Sequence, residues 1–140
     1  MAKPDRKYWL MKSEPFKYSY DDLVTEGEGT WDGVRNHTAK LNLRAMQVGD
    51  EAFFYHSREG LEIVGIVEIS EAGIGDPTDE TGKWAAVKVR PKRRLDRPVS
   101  LKSIKAEPKL ENCELVKQSR LSVAKITPEE FEVICAMAQG

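Results

Sequence analysis

Two runs rich in β-branched and aromatic residues, 51–56 (EAFFYH) and 61–69 (LEIVGIVEI), are separated only by Ser57-Arg58-Glu59-Gly60, a spacing that reads as a hairpin turn. The centre of the chain is therefore expected to be an antiparallel sheet. Residues 7–12 (KYWLMK) are short, aromatic and apolar, a largely buried first strand stopped by the turn Ser13-Glu14-Pro15. Residues 84–90 (WAAVKVR) alternate Ala86, Lys88 and Arg90 with Ala85, Val87 and Val89, and residues 121–126 offer a last strand. The Gly, Asp, Pro and Thr residues of 73–82 predict the most mobile loop.

Ser19 stands three residues before Asp22, a cap-like start for a short helix that ends near Gly27 and Gly29. Residues 38–47 read as a second helix, with Ala39, Leu43 and Met46 on one face and His37, Lys40 and Arg44 on another. A short helix at 101–105 gives way to a break at Pro108. In the closing helix Thr127 caps, Pro128 opens the first turn, Glu130 completes a capping box, and Phe131, Ile134, Cys135 and Ala138 form an apolar stripe. Strands and helices do not alternate regularly, which favours a compact α+β fold, a mixed and mainly antiparallel β-barrel flanked by short helices, over a doubly wound parallel sheet.

At 140 residues with 40% hydrophobic and 32% charged composition, the chain is expected to form one domain over 1–140 without disulfides or a structural metal. His37, His56, Cys113 and Cys135 lack the close paired spacing of a zinc site, so no metal or cofactor is expected. Neither a signal-peptide stretch after the charged Met1–Lys7 segment nor a membrane-spanning run is present, which points to an intracellular protein with free thiols. Lys plus Arg number 22 against 23 Asp plus Glu, so bulk charge announces no polyanion partner. The distribution is uneven: residues 88–97 (KVRPKRRLDR) carry six bases and one acid, whereas 62–80 carry six acids and no base. Separate charged poles are expected, with 88–97 as a solvated edge strand.

Several blocks in order resemble a known family. Tyr8-Trp9-Leu10-Met11-Lys12-Ser13-Glu14-Pro15, Trp31-Asp32-Gly33-Val34-Arg35-Asn36, Gly49-Asp50, Phe54-Tyr55-His56-Ser57, Gly65-Ile66-Val67, Asp76-Pro77-Thr78, Trp84 and Ser119-Arg120-Leu121-Ser122-Val123 closely resemble the EVE domain, a pattern shared by the thymocyte nuclear protein family and small bacterial proteins. The resemblance implies a PUA-like barrel. Its short N-terminus is more similar to the stand-alone bacterial members, which implies a cytoplasmic setting, or a nuclear one if eukaryotic. A more distant likeness to YTH domains, which bind methylated adenine in RNA, places Trp31 as a wall of a base pocket and leaves Trp84 as one option for a second wall.

The resemblance implies a module that binds a modified base in DNA or RNA, with no catalytic residue. Read from its neighbours, Thr30-Trp31-Asp32-Gly33 is a turn in which an indole face could stay open, and a core plug is the plain alternative. Trp9, inside an apolar strand, reads as core. Ser13, Asp32, Asn36 and the backbone of Gly33 and Val34 offer donors and acceptors for a base edge, with Leu10 and Val34 as lining. Lys12, Tyr55, His56, Ser57 and Trp84 complete the expected pocket. Arg35, Lys40 and Arg44, with Lys12, could grip phosphates, although a charged outer helix face accounts equally well for Lys40 and Arg44. His56 and Ser57 are adjacent in a strand and point to opposite faces, which disfavours a nucleophile and base pair. The alternatives are a hydrolase of modified nucleosides, with Lys12, Glu14 or Asp32 as acid and base, and a protein-interaction adaptor with an exposed apolar patch.

Overall fold

The computed structural model describes residues 7–58 and 60–139; the expectations for the Met1–Arg6 segment and for Glu59 in the hairpin turn lie outside the described residues. Six strands, β1 (Tyr8–Ser13), β2 (Gly29–Trp31), β3 (Glu51–His56), β4 (Glu62–Gly75), β5 (Ala85–Ser100) and β6 (Val123–Ile126), form one sheet in the order β2-β5-β4-β3-β1-β6. Five α-helices, α1 (Tyr20–Glu26), α2 (His37–Ala45), α3 (Leu101–Ala106), α4 (Glu114–Lys117) and α5 (Pro128–Met137), surround it. The fold is mixed α+β. Among the described residues only β1 and β3 run parallel, in register Lys12 to Tyr55 and Ser13 to His56. The remaining ladders are antiparallel, and the β3–β4 pair is the expected hairpin.

The sheet is not closed into the expected barrel, since no ladder joins β2 to β6 among the described residues. Helix α2 packs against β4, β5 and β6. Its buried Asn42 donates to the Val123 carbonyl of β6 at 2.7 Å, giving that strand a side-chain partner. Both capping boxes form as the sequence predicts, Ser19 with Asp22 and Thr127 with Glu130.

Strands β4 and β5 run further than their apolar cores suggest, because bulges carry the pairing past Ile63, Val67 and Glu71. Strand β4 thus enters the segment read as a loop, and the remainder is tied down: Asp79 accepts from the Thr81 and Trp84 amides. The basic run is an exposed sheet edge from Arg90 onward, as expected, whereas Lys88 and Val89 are flanked on both sides. Strand β5 lies between β2 and β4 up to Val89, and its charges pair with acids: Lys88 with Glu71, Arg90 with Glu28, Lys92 with Glu51 and Arg94 with Asp21. Antiparallel pairing of β4 with β5 sets Glu71 beside Lys88 and Glu68 beside Arg90, but of the four ion pairs only Lys88–Glu71 joins the acidic segment to the basic one.

One apolar cluster links the strands and helices. Trp9 is buried in it, as expected, and its indole N–H donates to buried Asp50 at 3.1 Å. Tyr20 of α1 lies flat over Gly65 of β4, where a Cβ would come within 2.5 Å of the ring, and its hydroxyl donates to the Ile66 carbonyl at 3.0 Å.

Candidate functional site

A cleft of about 400 Å³ opens where the end of β1, the turn after it, the last turn of α1 and the short β2 converge. Its lining includes Lys12, Ser13, Tyr18, Glu26, Trp31 and Asp32, with Glu14, Lys17 and Thr30 at the margin. Local chemistry dictates this convergence. After Ser13 the chain turns back, with the Lys17 and Tyr18 amides both donating to the Glu14 carbonyl at 2.9 Å, and the Ser13 hydroxyl donates to the Tyr18 carbonyl at 2.5 Å. Gly27 ends α1 in the left-handed region at φ 81°, a conformation that glycine adopts without a Cβ clash. Gly29 leaves room for the Tyr18 hydroxyl, which would stand 2.5 Å from a Cβ there and donates to Glu26 at 2.5 Å. Burial and the Glu26 carboxylate push the Tyr18 phenol well above its ordinary value.

Trp31 is the last residue of β2, not part of an open turn, because Trp31 pairs with Val87 of β5 and the turn begins only at Gly33, with φ 75°. Its side of the cleft is a narrow strip, since the residue is 8% exposed. The indole meets Phe54 edge to face, with centroids 5.4 Å apart and an interplanar angle of 87°. Phe54 meets Tyr20 and His56 in the same way, at 5.4 and 5.6 Å. His56 Nε2 accepts the Tyr20 amide at 3.2 Å, so the imidazole braces β3 against α1, and burial lowers its pKa. With that nitrogen occupied, His56 has no spare base nitrogen for Ser57, whose amide donates to the Ser13 carbonyl at 2.8 Å.

The cleft's polar groups differ in how far they are already satisfied. Lys12 donates to the Ser119 carbonyl at 2.8 Å and lies 5.8 Å over the Tyr55 ring, and burial lowers its pKa. Glu14 sits between Arg58 at 3.3 Å and Lys17 at 3.6 Å. Asp32 has no ion-pair partner among the described residues; burial, then the Asp76 charge, raise its pKa, opposed by its own backbone amide and by Arg35.

Other expected site residues gather in a second cluster. The fully buried Asp76 carboxylate accepts from the Gly33 amide at 2.8 Å, from Arg35 at 2.8 Å and from the Thr78 amide and hydroxyl. Burial pushes that carboxyl up, but the bonds from Thr78, Arg35 and Gly33 outweigh it and hold the group far below the usual carboxylate range. Arg35 and Lys40 lie 5.5 and 5.1 Å from the Trp84 ring centre, and Arg44 donates to the Lys83 carbonyl at 3.0 Å. Trp84 lines a separate cleft with Leu43, Arg44 and Ile74.

Of the residues singled out in the sequence, Lys12, Ser13, Glu14, Trp31 and Asp32 therefore share the first cleft. Arg35, Lys40, Arg44 and Trp84 belong to the second cluster, and Leu10, Val34 and Tyr55 are core. Asn36 caps α2, its Oδ1 accepting the Ala39 amide at 2.9 Å. Sequence reasoning missed Tyr18, Glu26, Thr30 and Lys17. Among the described residues, no group of three or more His, Cys, Asp and Glu could hold a metal ion, and no helix is long and apolar enough to cross a membrane.

Comparison with known proteins matches residues 7–137 to the model of the EVE domain. Thymocyte nuclear protein 1 of Rattus norvegicus is 35% identical over 95% of this chain and 74% of its own length. A solution structure from Rhodopseudomonas palustris superposes with a TM-score of 0.90 at 49% identity, covering 94% of this chain and 92% of that one. The human THYN1 protein, crystallised in complex with 5-methylcytosine containing DNA, superposes with a TM-score of 0.89 at 32% identity, covering 96% and 98%. A YTH domain of Zygosaccharomyces rouxii, in complex with N6-methyladenosine RNA, shares the fold at a TM-score of 0.63 and 18% identity, covering 100% and 91%.

Proposed function

Because the chain belongs to the EVE domain family, we propose that it is a single-domain, non-catalytic nucleic-acid-binding module that holds one modified base in the cleft beside Trp31. The observation that carries this reading is the meeting of Trp31 with Lys12, Ser13 and Asp32 in one cleft, in a chain that is similar over nearly its whole length to a protein bound to 5-methylcytosine DNA. The cleft volume falls within the range of about 300–1,000 Å³ usual for small-molecule sites. An extruded base loses its stacking, and an aromatic wall restores about 1–3 kcal/mol. The ring cluster behind Trp31 fixes the indole before the base arrives, which reduces the ordering cost of binding.

Phosphate contacts fall to cations whose charge is not already neutralised. Lys40 and Arg44 of α2 have no ion pair among the described residues and fit that role, whereas Arg35 is committed to Asp76. Such contacts make binding weaken with added salt.

The test is polarisation-detected binding of labelled single-stranded and duplex oligonucleotides, each unmodified or carrying one methylated base, at two salt concentrations. The expected result is tighter binding of one modified oligonucleotide than of its unmodified twin, and an affinity loss of about 1–3 kcal/mol in folded Trp31→Ala. Equal binding of all twins, or full affinity in folded Trp31→Ala, overturns the reading.

A further inference from the structure

Resting on that cleft as the base site, we propose that Asp32 selects the class of base: its carboxylate accepts a hydrogen from an exocyclic amino group, so the cleft takes cytosine or adenine types over thymine or uracil types. Most other polar side chains of the cleft are already engaged within the protein. The Ser13 hydroxyl is spent on the Tyr18 carbonyl and the Tyr18 hydroxyl on Glu26. Glu26 receives that phenol, and Glu14 is held between Arg58 and Lys17. Asn36, the other side chain suited to a base edge, is occupied as the cap of α2.

Asp32 differs from all of these. An ionised carboxylate has about four acceptor sites, and among the described residues this one receives only its own backbone amide. The nearest cation, Arg35, is engaged by Asp76, and Asp76 repels Asp32. A carboxylate that lines the cleft and takes no hydrogen bond from another described residue is complementary to a ligand that brings a donor. Cytosine N4 and adenine N6 carry such donors, whereas thymine presents O4, an acceptor that would face the carboxylate with no hydrogen between them. Lys12 uses one of its three N–H bonds on Ser119, and the others suit the ring acceptor that adjoins the amino group in cytosine and adenine.

Two oligonucleotides that differ at one base, 5-methylcytosine against 5-methyluracil, probe this edge, because the ring methyl is common and the bases differ only in the 4-amino group and N3 acceptor of one against the 4-carbonyl and N3–H of the other; the Asp32 variant then separates its contact from that of Lys12. A second pair, adenine against hypoxanthine, repeats the exchange on a purine. The wild-type protein is expected to prefer the amino member of at least one pair by about tenfold or more. Asp32→Asn, whose amide both donates and accepts, is expected to reduce that preference to about threefold or less. Because Asp32 is exposed and, among the described residues, has no ion pair and no hydrogen bond to another residue, thermal melts of the variant should match the wild type.

Equal affinity for both members of each pair, or a preference that survives in Asp32→Asn, overturns the assignment of Asp32 while Trp31-dependent binding leaves the cleft itself standing. Binding that does not depend on Trp31, or no binding of any of these oligonucleotides, removes the cleft reading and the role of Asp32 with it.

Discussion

The indole of Trp31 stands edge-on to the ring of Phe54, with centroids 5.4 Å apart and planes at 87°. Phe54 is fully buried and also meets Tyr20 edge to face, so it couples the cleft wall to the core. Aromatic pairs of this kind contribute about 0.5–1.5 kcal/mol each beyond area burial. Phe54→Leu is therefore expected to lower stability by about 1–3 kcal/mol in urea denaturation, the sum of two such pairs. It should also shift the emission of Trp31 to longer wavelength, as the indole loses its fixed partner.

Gly65 and Tyr20 occupy the same space by design of the sequence: the tyrosine ring lies where a Cβ at position 65 would project. Gly65→Ala forces the ring or strand β4 to move, at an expected cost of about 1–3 kcal/mol. Adding Tyr20→Leu should cost less in the Gly65→Ala background than alone, because the overlap is then partly relieved. Denaturation midpoints of the four proteins in this double-mutant cycle check the coupling.

Asp76 ties the turn after Trp31 to the loop that leads into β5, through Gly33, Arg35 and Thr78. Its carboxyl is depressed in the folded protein, so its contribution to stability is present above the unfolded value of about 3.9 and is lost as pH falls through the folded value. Between pH 7 and 5 this contribution should be constant, and it should decline from about pH 5 downwards. Asp76→Asn is expected to lose about 1.5–3 kcal/mol at pH 7 and to show a shallower acid dependence than the wild type below pH 5. Urea denaturation at stepped pH values measures both.

Local signals carried much of the fold into view. Ser19 with Asp22 and Thr127 with Glu130 form their boxes within one turn, so no distant partner could override them. The hairpin from β3 to β4 was equally legible, for its turn residues and its two apolar runs are contiguous. Strand length was not. Gly73 and Pro91 look like punctuation, yet register shifts in β4 and β5 let both strands pass through them.

The candidate cleft was legible in part, for the same reason. Lys12 and Ser13 end a strand whose pattern is local, and Trp31 stands out as an aromatic between turn residues. What could not be read was that Trp31 pairs with Val87 and is thereby drawn into the sheet. Arg35 and Gly33 were equally opaque, since their partner Asp76 lies 41 and 43 residues away. Asp32 was visible as an acceptor, but its distinction from Ser13 and Asn36 rests on which of them the fold has already satisfied.

The most direct measurement is fluorine NMR of the protein carrying 5-fluorotryptophan, in which Trp9, Trp31 and Trp84 give three resonances assigned by single Trp→Phe variants. Titration with an oligonucleotide bearing one 5-methylcytosine is expected to move the Trp31 resonance strongly and its unmodified twin to move it less, while buried Trp9 stays in place. A bound oligonucleotide that leaves the Trp31 resonance unmoved would contradict the account.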